Sequence, residues 1–168
     1  LWAKRVAELY PQAKIVLHGV SMGAATVMMA AGREDLPPEV VAAVEDCGYT
    51  NADELIAMQM ENSFGLPAFP AMNLLNWRCE KVAGFNLHDA APIDAVRHAR
   101  VPILFIHGTK DTLVPPNMAE QLYAAANAPK KELLMIPGAV HAAASQADQQ
   151  TYFRTIRKFV QPYMEEQK

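Results

Sequence analysis

Three residues in this sequence have the types and the order needed for nucleophilic chemistry: Ser21, Asp111 and His141. Ser21 stands in His18-Gly19-Val20-Ser21-Met22-Gly23, a G-x-S-x-G pattern between the apolar run Ile15-Val16-Leu17 and the small-residue stretch Gly23 to Ala31. A chain that reverses from strand to helix within about one turn leaves such a serine in a strained backbone conformation with its hydroxyl exposed. Side chains at Gly19 or Gly23 are expected to collide with neighbouring backbone, which is why the pattern asks for glycine there. A serine hydroxyl is a poor nucleophile at neutral pH. An imidazole must take its proton, and a carboxylate must orient that imidazole.

Five histidines compete for the role of base. His18 belongs to the run that enters the turn and cannot easily swing back to Ser21, so a structural role is expected of it. His88 and His98 flank a short helical segment away from any strand end, and His107 closes a strand-like run before Gly108, where it serves the turn. His141 follows the last strand-like run in Pro137-Gly138-Ala139-Val140-His141 and is the expected base. The expected acid is Asp111, in the stretch Ile106 to Pro115 after the third run. Taken alone, Asp111 reads equally well as a turn or helix-capping aspartate. Asp46, in Glu45-Asp46-Cys47-Gly48-Tyr49 after the second run, is the rival acid, and Asp89 and Asp94 fit helix starts beside Pro92.

The elements that must position these groups follow from the hydrophobic pattern. Lys14 to His18, Val40 to Glu45, Val101 to His107 and Glu132 to Ile136 are apolar along most of their length, which suits a parallel sheet covered on both faces. Helices are expected at Leu1 to Tyr10, Met22 to Gly32, Pro92 to His98, Pro116 to Asn127 and Ser145 to Tyr163. In the last of these, Tyr152, Phe153, Ile156, Phe159 and Val160 recur at helical spacing and belong to the core. Parallel strands bring their C-terminal ends to one side of the sheet, where ligand sites form. Ser21, Asp111 and His141 all lie just past such ends.

From Thr50 to Asp89 the alternation breaks. The stretch has no strand pattern but holds Met58, Met60, Phe64, Phe69, Met72 and Trp77, with Pro67 and Pro70 interrupting it. An insertion of about forty residues must carry helices of its own. It reads as a cap, whose Met and aromatic residues either line an adaptable apolar pocket or pack it onto the body. The expected division is a core of residues 1–50 and 89–168 and a helical cap at 51–88.

Composition narrows the function. The 168 residues suffice for one domain with a sizeable core. With charged residues at 20% and a net charge of -3, no basic field marks a nucleic-acid partner or an anionic membrane surface. Cys47 and Cys79 have neither metal spacing nor the density of a disulfide framework; no metal or cofactor is expected, and their pairing is left open. No apolar run approaches the ~20 residues of a bilayer span, and no signal peptide is visible. The chain opens on Leu1 within a helix-like segment, as if in mid-fold, so a fragment or truncated relative of something longer is expected.

The motif His18 to Ala24, the strand and loop Val101 to Asp111 and the loop Gly138 to His141, in the order Ser, Asp, His, resemble the C-terminal part of an α/β-hydrolase. With Val44 to Thr50 included, the chain is similar to a group of bacterial, mostly Firmicute, members of carboxylesterase type, several of which carry an N-terminal hydrophobic anchor. Its acid strand is also similar to that of prolyl-oligopeptidase-type enzymes. The resemblance implies an α/β fold, a mostly parallel sheet flanked by helices with a helical cap insertion. It implies a serine hydrolase acting on a small-molecule acyl substrate: Ser21 attacks the carbonyl, His141 shuttles the proton, Asp111 orients His141, and the Met22 N–H binds the oxyanion. A peptidase and a non-catalytic interaction module are the alternatives.

The departure from that family lies at the front. A complete α/β-hydrolase has about four more strands before the serine, and a loop among them supplies a second oxyanion donor. Loss of one such donor costs on the order of 10²-fold or more in rate. The strand at residues 14–18 is then left with one unpaired edge, and self-association or pairing with a missing N-terminal segment through that edge is expected. The compartment, cytoplasmic or anchored and extracellular, is left open.

Overall fold

Unbroken apolar runs give four strands in the computed structural model, which describes residues 2–165: β1 (Ile15–Val20), β2 (Val40–Asp46), β3 (Ile103–Gly108) and β4 (Lys131–Ile136). All pairings are parallel, in the order β1-β2-β3-β4. Parallel neighbours need crossover connections, and helices supply them. In chain order these are α1 (Trp2–Leu9), before β1, then α2 (Met22–Ala31), α3 (Ala52–Phe64), α4 (Ala68–Ala83), α5 (Pro92–Val96), α6 (Pro116–Ala125), α7 (Ala144–Ala147) and α8 (Gln149–Met164). Leu1, the first residue of the expected N-terminal helix, lies outside the described residues.

The sheet is sandwiched because successive strand residues point to opposite faces. Ile103 and Phe105 of β3 join Ala43, Met28, Val96 and Leu122 in a core beneath α2, α5 and α6. Leu104 and Ile106 join Val44, Ile136, Tyr152 and Phe159 in a second core beneath α8. Each large side chain buried in this way contributes about 1.5–3 kcal/mol.

Several boundaries differ from the sequence pattern, among them the start of β3 at Ile103 and the ends of α5 at Val96 and α6 at Ala125, and two of the differences have a clear physical cause. β1 runs on through Gly19 and Val20 to the serine itself, because Val20 pairs with Asp46 of β2. The single helix expected over Ser145 to Tyr163 is two, α7 and α8, broken at Asp148. The Asp148 backbone leaves helical geometry (φ -144°, ψ 79°), and its carboxylate accepts the Thr151 N–H at 3.0 Å as an N-cap.

Between β2 and β3 the chain forms α3 and α4 and a 3-10 turn at Leu87–Asp89. Asn51 caps α3 by accepting the Asp53 N–H at 2.7 Å. Phe64, Phe69, Leu74, Trp77 and Val82 on these two helices are exposed. The Gln59 amide of α3 donates to the Leu113 carbonyl at 2.7 Å, which ties α3 to the loop after β3. Among the described residues no helix is long and apolar enough to cross a membrane.

Candidate active site

The C-terminal ends of β1, β3 and β4 bring Ser21, Asp111 and His141 into hydrogen-bond contact. His141 Nε2 lies 2.8 Å from Ser21 Oγ, and His141 Nδ1 lies 2.7 Å from Asp111 Oδ2. A carboxylate only accepts, so Nδ1 carries the imidazole proton and Nε2 is left to accept from the serine hydroxyl. The three groups span 120 residues of sequence between Ser21 and His141. Asp111 is 4% exposed, while the His141 side chain is 20% exposed and faces the open side.

Local backbone geometry holds each member. Ser21 adopts φ 56° and ψ -116°, a region costly for a residue with a Cβ, and its N–H donates to the Asp46 carbonyl at 2.8 Å. A Cβ at Gly19 would stand 2.1 Å from the Gly23 carbonyl oxygen, so glycine is required there by close approach of backbone. At Gly23 the expectation of a collision is overturned: a Cβ there meets nothing within 4 Å. Gly23 supplies the carbonyl that crowds Gly19, and its own Cβ direction points into open space. Met22 is the first residue of α2 and is 73% exposed. Its N–H belongs to the first turn of that helix, where main-chain donors have no intrahelical acceptor and face the positive end of the dipole.

Asp111 is anchored through its other oxygen. Oδ1 accepts the Leu113 and Val114 N–H groups, each at 2.9 Å, which closes the acid loop around the carboxylate. His107, fully buried at the end of β3, donates Nε2–H to the Val114 carbonyl at 2.9 Å and sits 3.4 Å from Asp111 Oδ2. It braces the same loop.

The remaining candidates fall elsewhere. Asp46, the rival acid, is buried and turned toward α8, where its Oδ2 accepts the Tyr152 hydroxyl at 3.0 Å. His18 points to the same tyrosine, with Nε2 3.0 Å from Tyr152 Oη. His88 is paired with Asp53 next to α3. Asp94 lies in the first turn of α5 and pairs with Arg97, and Asp89 closes the 3-10 turn. Sequence reasoning missed Tyr152 as a polar group of the site, because its helical spacing marks it only as core. It also missed Cys47.

Cys47 follows Asp46 with φ 51°, and Ala142 follows His141 with φ 56°. Together with Ser21 these are the non-glycine residues of positive φ among the described residues, and all three meet at the site. Burial, reinforced by the Asp46 charge, pushes the Cys47 thiol up to about 12, and the nearby main chain of Ala142 and Ser21 opposes that rise. A neutral thiol of this kind is a spacer and not a nucleophile. Cys47 and Cys79 are both free. Among the described residues, Cys47, Asp111 and His141 also form a group whose donor atoms lie within 4.8 Å of one another, close enough for a metal ion. Two of those donors are already engaged with each other through the Asp111–His141 hydrogen bond.

Comparison with known proteins gives a consistent setting. The model of the prolyl oligopeptidase family matches residues 3–167. An uncharacterized protein of Bacillus subtilis (strain 168), YqkD, is 27% identical over 146 residues, covering 87% of this chain and 47% of that protein. The chain spans about half the length of the curated relatives it matches. Among solved structures, the Pyrococcus furiosus esterase Pf2001 superposes with a TM-score of 0.71 at 22% identity, over 98% of this chain and 60% of the esterase. The Pyrococcus horikoshii acylaminoacyl peptidase superposes with a TM-score of 0.66 at 18% identity, over 98% of this chain and 27% of the peptidase. These likenesses show a partial α/β-hydrolase fold.

Proposed function

The chain belongs to the prolyl oligopeptidase family within the α/β-hydrolase superfamily, and from that premise we propose that it carries the catalytic serine apparatus of a hydrolase cleaving carboxylic esters through an acyl-enzyme. The observation that carries this reading is the continuous hydrogen-bond chain from Ser21 Oγ through His141 to Asp111. Ser21 attacks the ester carbonyl as His141 Nε2 takes its proton. The tetrahedral oxyanion forms against the Met22 N–H, and collapse expels the alcohol with the proton held by His141. Water then enters, gives its proton to His141 and releases the acid. Asp111 keeps Nδ1–H in place and balances the imidazolium in both halves of the cycle.

We read the α3–α4 insertion as a cap, and an apolar groove along α3 supports an ester with an apolar acyl or alcohol portion. Leu55, Ile56, Met60 and Phe64 of α3 and Leu113 of the acid loop line a groove of about 420 Å³. A peptidase is the second reading, favoured by the family match and by the likeness to the acylaminoacyl peptidase. β1 lies at one edge of the sheet, and we place on that edge a further strand, from a longer polypeptide or a second copy. Either would satisfy its free main-chain groups.

A fluorophosphonate reagent tests the assignment of the nucleophile. Ser21 is expected to be labelled, and labelling to vanish in Ser21→Ala together with ester hydrolysis, by about 10⁴-fold or more. Labelling undiminished in Ser21→Ala, or absent from the unaltered protein, overturns the reading. Faster turnover of N-acyl peptide amides than of matched p-nitrophenyl esters selects the peptidase.

A further inference from the structure

The insertion between β2 and β3 holds a second cavity, which the hydrolytic reading leaves unused. It measures about 540 Å³ and lies between α3 and α4, beside the 3-10 turn. That volume is within the range of small-molecule sites. On α4, Met72, Asn73, Asn76, Trp77 and Glu80 recur at helical spacing and form one wall. Asp53, Glu54 and Ala57 of α3 form the other. They occupy a different flank of that helix from Ile56, Met60 and Ser63, which line the apolar groove, so the body of α3 stands between the two spaces.

The walls carry one sign of charge. Asp53, Glu54 and Glu80 all line the cavity, and no lysine or arginine is among its lining residues. His88, paired with Asp53, is the lining group able to carry positive charge, and three carboxylates outnumber it. Hydrogen bonds hold the walls together without covering them. Asn76 Oδ1 accepts the Leu87 N–H at 3.1 Å, which pins the 3-10 turn to α4. Glu54 Oε2 accepts the Thr50 hydroxyl at 2.9 Å, and Glu80 Oε1 accepts from the Asn86 amide. Among the described residues no donor engages the other oxygen of either glutamate. A carboxylate only accepts, so these oxygens suit a ligand that donates. The half-exposed Trp77 adds an indole ring to the same wall, and the face of an indole attracts cations.

We propose that this cavity binds a small organic cation bearing N–H donors, whose charge is balanced by Asp53, Glu54 and Glu80 and whose body packs on Trp77. The site is separate from the substrate groove and does not depend on Ser21. An anion is repelled by the three carboxylates, and an uncharged ligand of the same shape forgoes their attraction.

Two tryptophans are present in the sequence, Trp2 and Trp77, so emission from Trp2→Phe reports Trp77 alone. Titration of that variant with n-butylguanidinium is expected to give a saturable change in emission with a midpoint below about 10 mM. n-Butylurea has nearly the same shape and no charge, and it is expected to need about ten times the concentration or more. Glu54→Gln and Glu80→Gln keep the side-chain size, and the two together are expected to weaken n-butylguanidinium binding by about fivefold or more. Binding is expected to be unchanged in Ser21→Ala. Equal midpoints for n-butylguanidinium and n-butylurea overturn the proposal and leave an apolar cleft. An unchanged midpoint in the folded double variant, or no saturable change up to about 10 mM, also overturns it. Loss of binding in Ser21→Ala places the probe in the substrate groove and overturns the separate site.

Discussion

β1 and β3 each end at a member of the same hydrogen-bond chain, yet they are built differently. All six residues of β3 are buried, whereas no residue of β1 is fully buried and His18 and Val20 are exposed. On the β3 side, Asp111 has two main-chain donors on one oxygen and His141 on the other, with His107 bracing the loop. On the β1 side, Ser21 is held from one flank only, by Asp46 of β2 and by the packing of Gly19 against Gly23. Asp111 is thus held through both carboxylate oxygens, whereas the Ser21 main chain is held from the β2 side.

The largest effect is expected where the acid side meets the chemistry. Asp111→Asn leaves the loop N–H groups an acceptor but removes the charge that fixes the His141 tautomer, and hydrolysis is expected to fall by about 10³–10⁴-fold. Retained activity in Asp111→Asn with loss in Asp46→Asn would hand the role of acid to the rival carboxylate and reverse the comparison. Steady-state rates on one p-nitrophenyl ester decide between them.

Stability provides the next contrast. Phe105 lies at 0% exposure in the centre of β3, with its ring edge-on to Tyr123, while Leu17 of β1 is only partly buried against the same core. Phe105→Ala is expected to lower the unfolding free energy by about 3–5 kcal/mol, and Leu17→Ala, measured at high dilution, by less than about 2 kcal/mol. Denaturant titrations check this. An equal cost at Leu17 means that something covers β1, and a cost that grows with protein concentration identifies the cover as a second copy.

How far the sequence reveals this molecule depends on the range of each interaction. β2 and β3 are legible because every residue of a doubly covered parallel strand must be apolar or buried, so Val40 to Glu45 and Val101 to His107 stand out as runs. The Ser, Asp, His order is legible because parallel strands put their C-terminal ends together. The break at Asp148 has a local cause, since aspartate is a preferred N-cap residue and Asp148 caps the Thr151 N–H. The Tyr152–Asp46 and Tyr152–His18 contacts span 106 and 134 residues, and no local pattern announces them. Cys47 and Ala142 take left-handed backbone conformations without glycine or asparagine, the residue types that normally advertise them. Their strain is held by the surrounding site and is visible only in three dimensions.

The seam between the two sides carries the smallest predicted effect. Glu45 of β2 pairs with Gly19 on the β1 side and with Phe105 on the β3 side, and it is fully buried. One carboxyl oxygen accepts the Gly48 N–H at 2.9 Å and the other has no partner. Burial pushes its pKa up to about 8 from 4.5, with the Gly48 N–H opposing and the Asp46 charge adding to the rise. The folded state therefore holds a proton that the unfolded chain has lost between those two values. Stability contributed by this proton is fully present below pH 4.5, declines as pH rises toward about 8, and changes no further above it. Glu45→Gln keeps an acceptor for Gly48 and cannot ionise, so the decline is expected to disappear, leaving the variant about 1–3 kcal/mol more stable than the unaltered protein at pH 8. Urea titrations at pH 5 and pH 8 measure it. A decline of equal size in both proteins places the pH sensitivity in other groups, and Glu45 then ionises in the folded protein as it does in the unfolded chain, so that the two sides of the sheet meet across a charged seam above about pH 5.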